Sequence, residues 1–163
     1  MELISEYIKE YKNQLEKGVI QRAYQGLMEY IMGLRTQFSH KFPNFAPGHI
    51  YQGYMDMTYF PIFPKLLKSR KLKIAVVLIH DTLRFEAWLV GYNKQIQTKY
   101  WKLFKKGDFK KYRIPSTLKG IDSIIEYTLV DNPDFSDLEK LTKQIEKGTL
   151  QFIDDIKKFL SSC

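Results

Sequence analysis

Residues 72–91 constrain the fold more than any other stretch, because two strand patterns there meet at a turn too short for anything but a hairpin. Residues 72–80 (LKIAVVLIH) are apolar almost throughout and rich in β-branched side chains, the pattern of a buried strand. Residues 84–91 (RFEAWLVG) alternate instead, with Phe85, Ala87 and Leu89 on one face and Arg84, Glu86, Trp88 and Val90 on the other. A parallel crossover needs roughly a dozen residues or more, and the HDTL connection cannot supply them, so the strands run antiparallel.

Other elements arrange themselves around this hairpin. Leu3, Ile4, Tyr7, Ile8, Tyr11 and Leu15 recur at helical spacing, and the stripe from Val19 to Phe38 continues that period after Gly18. Gly18 either breaks the helix or is tolerated within it at about 1 kcal/mol. Pro43 and Pro47 impose a loop over residues 40–48. From residue 49 to 60 the period is two, with Tyr51, Met55, Met57 and Tyr59 opposite Gln52, Asp56 and Thr58. Gly53 inside that run signals a bulge or a close backbone approach. Residues 61–71 make a connection with room for one helical turn. Asn93 is suited to cap a helix carrying Ile96, Tyr100 and Leu103 on one stripe, and residues 107–120 read as a basic loop. Residues 123–130 alternate as a fourth strand. Ser136 with Glu139 matches a capping box that opens a last helix, with Gly148 as a kink point. The expectation is one α+β domain over residues 1–163, with element order ααβββαβα. Its sheet has about four antiparallel or mixed strands flanked by helices.

Several function classes fall away on residue type. The single cysteine, Cys163, cannot form an internal disulfide, and His40, His49 and His80 lack metal-ligand spacing. No phosphate-binding glycine loop and no G-x-S-x-G elbow occurs. The first residues (MELISEYIKEYKNQLEK) are acidic and amphipathic, unlike a signal peptide, and no run approaches the ~20 apolar residues of a membrane helix. A cytoplasmic protein without membrane association is expected, and metal sites are not.

Charge is unevenly placed. Residues 49–120 hold 15 Lys and Arg against 4 Asp and Glu, whereas residues 121–163 hold 5 against 9. Either the middle faces a polyanion, or the acidic C-terminal helix folds back to neutralise part of it, and both can hold. Within the basic stretch, Lys102, Lys105, Lys106, Lys110, Lys111 and Arg113 interleave with Trp101, Phe104, Phe109 and Tyr112. Cations beside rings suit a nucleic-acid groove, although a helix with rings in the core and lysines in solvent gives the same pattern. Arg84 and Trp88 complete the candidate binding residues.

The candidate chemistry centres on Glu86. With Asp56 from the neighbouring strand, it could form a carboxylate pair holding Mg²⁺ for phosphodiester cleavage. Otherwise Glu86 forms a structural ion pair with Arg84 or a helix lysine, and no cofactor is needed.

The run IYQGYMDMTYFPIFPKLLKSRKLKIAVVLIHDTLRFEAWLVGYNKQIQTKYW, with IPSTLKG and LVDNPDFSDL downstream, resembles an uncharacterised bacterial family known only as a domain of unknown function. That resemblance spans nearly the whole chain and implies no activity. The element order from residue 19 onward also resembles the αβββαβ core of the PD-(D/E)XK nucleases. Glu86 matches the acid of the third strand there, but Trp88 stands where that family has lysine, and Lys73 and Ile74 stand where the second strand should open on aspartate. The resemblance therefore implies a catalytically depleted relative kept for binding. The leading expectation is a non-catalytic binding protein with nucleic acid as its partner class. The alternatives are a metal-dependent nuclease using Asp56 and Glu86, and a homo-oligomer docked through its N-terminal helix.

Overall fold

The computed structural model describes residues 3–107 and 109–163. Contacts divide the chain into two units, with the boundary between Leu34 and Arg35. The first unit holds helix α1 (Ile4–Glu16) and the start of helix α2 (Val19–Lys41). Gly18 adopts φ +74°, a left-handed conformation that only glycine takes at little cost, so it separates the helices instead of riding within one. Helix α1 buries none of its residues, and Leu3, Ile4, Ile8 and Tyr11 of its apolar stripe are exposed.

The second unit is built on a four-stranded antiparallel sheet in the order β1-β2-β3-β4, with β1 Met57–Ile62, β2 Leu72–Ile79, β3 Arg84–Gly91 and β4 Ser123–Val130. Short helix α3 (Lys65–Ser69) provides the expected helical turn between β1 and β2. Helix α4 (Lys94–Lys106) joins β3 to β4, and helix α5 (Leu138–Ser161) follows the sheet. The expected α+β class and hairpin are present. Leu72, Ile74, Val76 and Leu78 are all at most 2% exposed and pair with Gly91, Leu89, Ala87 and Phe85.

Register gives the sheet two unlike faces. One carries Phe60, Ile62, Ile74, Val76, Phe85, Ala87 and Leu89 and forms the core. Ring contacts between helix and strand fall on this side: Phe38 of α2 lies 5.7 Å from Phe60, and Phe152 of α5 stacks 6.0 Å from Tyr127. Phe104 of α4 stacks on Phe159 of α5 at 4.4 Å, locking those helices together. The other face is mixed, carrying Tyr59, Lys73, Ala75, Glu86, Trp88 and Glu126.

Three expectations need correction. The strand expected over residues 49–60 begins only at Met57, and Tyr51 makes an isolated bridge to Tyr59. Gly53 (φ +73°) and Met55 (φ 62°) are left-handed, and Asp56 accepts a hydrogen bond from the Tyr54 amide, so the backbone turns there. Gly53 does mark a close approach, since a Cβ would overlap the Met57 carbonyl oxygen. The cap of α5 is Asp137, accepting from the Lys140 amide at 3.1 Å, not Ser136. Helix α5 also runs unbroken through Gly148, where a Cβ would meet the Leu129 side chain, so this glycine serves close helix–strand packing.

Candidate functional site

Strand alternation delivers Arg84, Glu86 and Trp88 to the mixed face at two-residue steps. Glu86 is only 3% exposed, between Val77 and Thr128 in the ladder, and a buried carboxylate needs partners on both oxygens. Arg84 Nε donates to Oε2 at 2.6 Å and the Trp88 indole N–H donates to Oε1 at 2.8 Å. Glu126, also buried, receives the Ser123 hydroxyl at 2.8 Å and the Arg113 guanidinium at 2.8 Å. Each carboxylate is neutralised locally by a cation and a neutral donor.

The pairing of Asp56 with Glu86 is not formed. Asp56 is exposed and its backbone carbonyl receives the His80 amide, whereas Glu86 lies across from Val77 on the next strand. That offset, three residues along and two strands across, puts them roughly 14 Å apart at sheet spacings. Hydrogen bonds from the Tyr54 and Met57 amides hold the Asp56 carboxyl below its usual range, a role completed within its own turn. Among the described residues no group of three or more His, Cys, Asp and Glu is placed to hold a metal ion. With the indole of Trp88 bonded to Glu86 where a catalytic lysine would stand, the likeness to PD-(D/E)XK nucleases gains no support from the structure.

The rings of the basic segment are committed to packing. Phe104 is fully buried, Phe109 lies 4.9 Å from Phe159, and Tyr112 packs against both Tyr127 and Phe152. Trp101 donates its indole N–H to the Pro115 carbonyl at 2.7 Å, under the Lys105 ammonium at 4.4 Å. The Tyr112 hydroxyl donates to Asp155, which also meets Lys111 at 2.8 Å and Gln151 at 3.0 Å. Burial pushes the Asp155 pKa up, but the hydrogen bonds from Lys111, Tyr112 and Gln151 outweigh it and hold the carboxyl below its usual range. Of the anticipated binding residues, Lys111 and Arg113 thus tie the loop to α5 and β4 while remaining largely exposed. Lys102, Lys105, Lys106 and Lys110 are exposed along α4 and the loop.

Sequence reasoning missed a feature shaped like a ligand site. A cavity of about 310 Å³ opens on the mixed face, walled by Tyr59 of β1, Trp88 of β3 and Tyr92, with Ala75 as part of its floor. Lys73 and Lys94 line it from β2 and the first turn of α4, and Asp122 from the approach to β4. Burial, reinforced by the Asp122 carboxylate, raises the Tyr59 hydroxyl above its usual range, so it stays a neutral donor. Gln97 borders the cavity, but its amide is committed to the carbonyls of Ile121 and Ser123 at 2.8 and 3.3 Å. The alternation of β3 announced Trp88. The period-two run into β1 likewise set Met57 and Tyr59 on one face, whereas the single residue Ala75 gave no comparable signal.

Together, fold and cavity define an α+β protein with a four-stranded antiparallel sheet and a ligand-sized recess on its mixed face. No helix among the described residues is long and apolar enough to cross a membrane. The chain belongs to the family described as Domain of unknown function (DUF7000), whose pattern matches residues 4–160. No curated protein and no solved structure matches it.

Proposed function

We propose that this is a cytoplasmic, non-catalytic nucleic-acid-binding protein that engages the phosphate backbone through α4 and the loop after it. The observation that supports this reading is the concentration of exposed cations there. Lys99, Lys102, Lys105 and Lys106 lie on α4 and Lys110, Lys111 and Lys119 on the loop, within a stretch holding 15 cations and 4 carboxylates. Such a surface neutralises phosphates and releases counterions whatever the sequence bound. Labelled single-stranded and duplex DNA and RNA at low salt provide the test. Complexes should form and weaken linearly in log K against log salt. Charge reversal at Lys102, Lys105, Lys106 and Lys110 together should cut affinity at least about ten-fold. Absence of any complex at low salt overturns the reading, since electrostatic binding is strongest there.

The exposed stripe of α1 supports a second reading, self-association through Leu3, Ile4, Ile8 and Tyr11. Sedimentation should then show a dimer or larger that Ile4→Lys with Ile8→Lys reduces to monomer. A wild-type monomer at high concentration dismisses it.

A further inference from the structure

We infer that the cavity on the mixed face is a subsite for one nucleotide unit, a base with its attached phosphate, free or carried within a single strand. The inference rests on the nucleic-acid reading for its polymer form only. A planar base needs ring faces, and Tyr59, Trp88 and Tyr92 all line the recess. In the ladder Ala75 lies between Pro61 and Trp88, while Tyr59 pairs two residues further along β2 with Val77. Sheet spacings therefore set the Cα atoms of Tyr59 and Trp88 on the order of 12 Å apart, flanking a floor where the side chain is only a methyl group. Glu86 fixes Trp88 by its indole N–H, so that wall is held in place before any ligand arrives.

The polar groups suit the rest of the unit. Lys73 and Lys94 supply two cations from different elements for a phosphate, and the neutral Tyr59 hydroxyl adds a donor. Asp122 offers an acceptor for a ribose hydroxyl or a base amino group. The volume, about 310 Å³, lies at the small end of the roughly 300–1,000 Å³ usual for ligand pockets, matching one unit and not a dinucleotide. Bases stacked in a duplex cannot enter such a recess, but a splayed base can. Tyr59 also packs against the Tyr51 ring at 5.2 Å and Tyr92 meets the Phe63 ring edge-on at 6.3 Å, contacts that brace these two walls while both still line the recess.

The experiment measures binding of AMP and UMP, a labelled twelve-nucleotide single strand and the matching duplex at one salt concentration. Variants are Tyr59→Ala, Tyr59→Phe and Ala75→Leu, each checked for fold by circular dichroism. Tyr59→Ala should weaken single-strand binding about ten-fold with little change in salt slope, because stacking releases no counterions. Tyr59→Phe should restore most of it, Ala75→Leu should reproduce the loss by filling the floor, and duplex binding should not change. Mononucleotide binding lost in the same variants identifies the free nucleotide as one source, and strand binding alone assigns the strand. If folded Tyr59→Ala and Ala75→Leu bind every ligand as wild type does, the subsite is refuted while lysine-dependent polymer binding still stands. If mononucleotides bind and no polymer does, the subsite stands and the polymer reading falls.

Discussion

Glu86 shows how one residue type at one register position admits two opposite functions until its partners are known. Alternation put it in line with Arg84 and Trp88, and the structure closes both of its oxygens on those two side chains. Removing the carboxylate would leave a partly buried guanidinium and an indole N–H without their acceptor. Glu86→Ala should therefore cost about 3 kcal/mol in urea unfolding, and Glu86→Gln, which keeps an acceptor for the indole, distinctly less. Equal stability of Glu86→Ala and wild type would show that the pair contributes nothing. His80 gives a second test at this scale. Its Nε2 lies 2.8 Å from the fully buried Thr58 hydroxyl, and burial lowers its pKa, with Asp56 only partly opposing. As pH falls, the unfolded chain takes up this proton before the folded one. Stability present above about pH 6.5 is thus lost on acidification toward the folded-state pKa. The thermal midpoint should begin to fall near that pH, and His80→Gln should flatten this limb of the profile.

At the level of elements, the hairpin, the last strand and the cap of α4 were legible because each signal is local. The Asn93 side chain receives the Ile96 amide at 2.9 Å as its position before the lysine-rich helix implied. The cap of α5 lies one residue beyond the Ser136 that the capping-box pattern suggests, for an equally local reason. The Ser136 hydroxyl turns back to Asp134 at 2.6 Å, leaving Asp137 to meet the Lys140 amide. Asp137→Ala should lower stability by about 1 kcal/mol in chemical denaturation, and Ser136→Ala by clearly less. A larger loss for Ser136→Ala would restore the capping box. The cavity was not legible, because Tyr59, Lys73, Trp88, Lys94 and Asp122 come from five separate segments that only the strand register brings together. Alternation reveals which face a residue takes, but not which residue lies beside it on the next strand.

Across the whole molecule, the opposed charges of the middle and end of the chain meet in part. Lys111 with Asp155 and Arg113 with Glu126 join the basic loop to acidic partners, which leaves α4 the more concentrated cationic surface. Each lysine there that contacts a phosphate should contribute about 0.9 to the salt slope on duplex DNA and about 0.7 on a single strand. Measuring the slope as Lys102, Lys105 and Lys106 of α4 and Lys110 of the loop are neutralised one at a time counts those contacts, and an unchanged slope removes α4 and the start of the loop from the interface. The sheet order has a kinetic corollary. Strands β1, β2 and β3 each pair with their nearest neighbour in the chain, so their loops close at little entropic cost, whereas β4 joins only after residues 92–122 are arranged. The hairpin should thus belong to the folding nucleus and α5 to what condenses afterwards. Stopped-flow measurements should find Val76→Ala acting mainly by slowing refolding and Asp137→Ala mainly by hastening unfolding, so that the chain's persistence once folded depends on its last helix and not on the strands that start it.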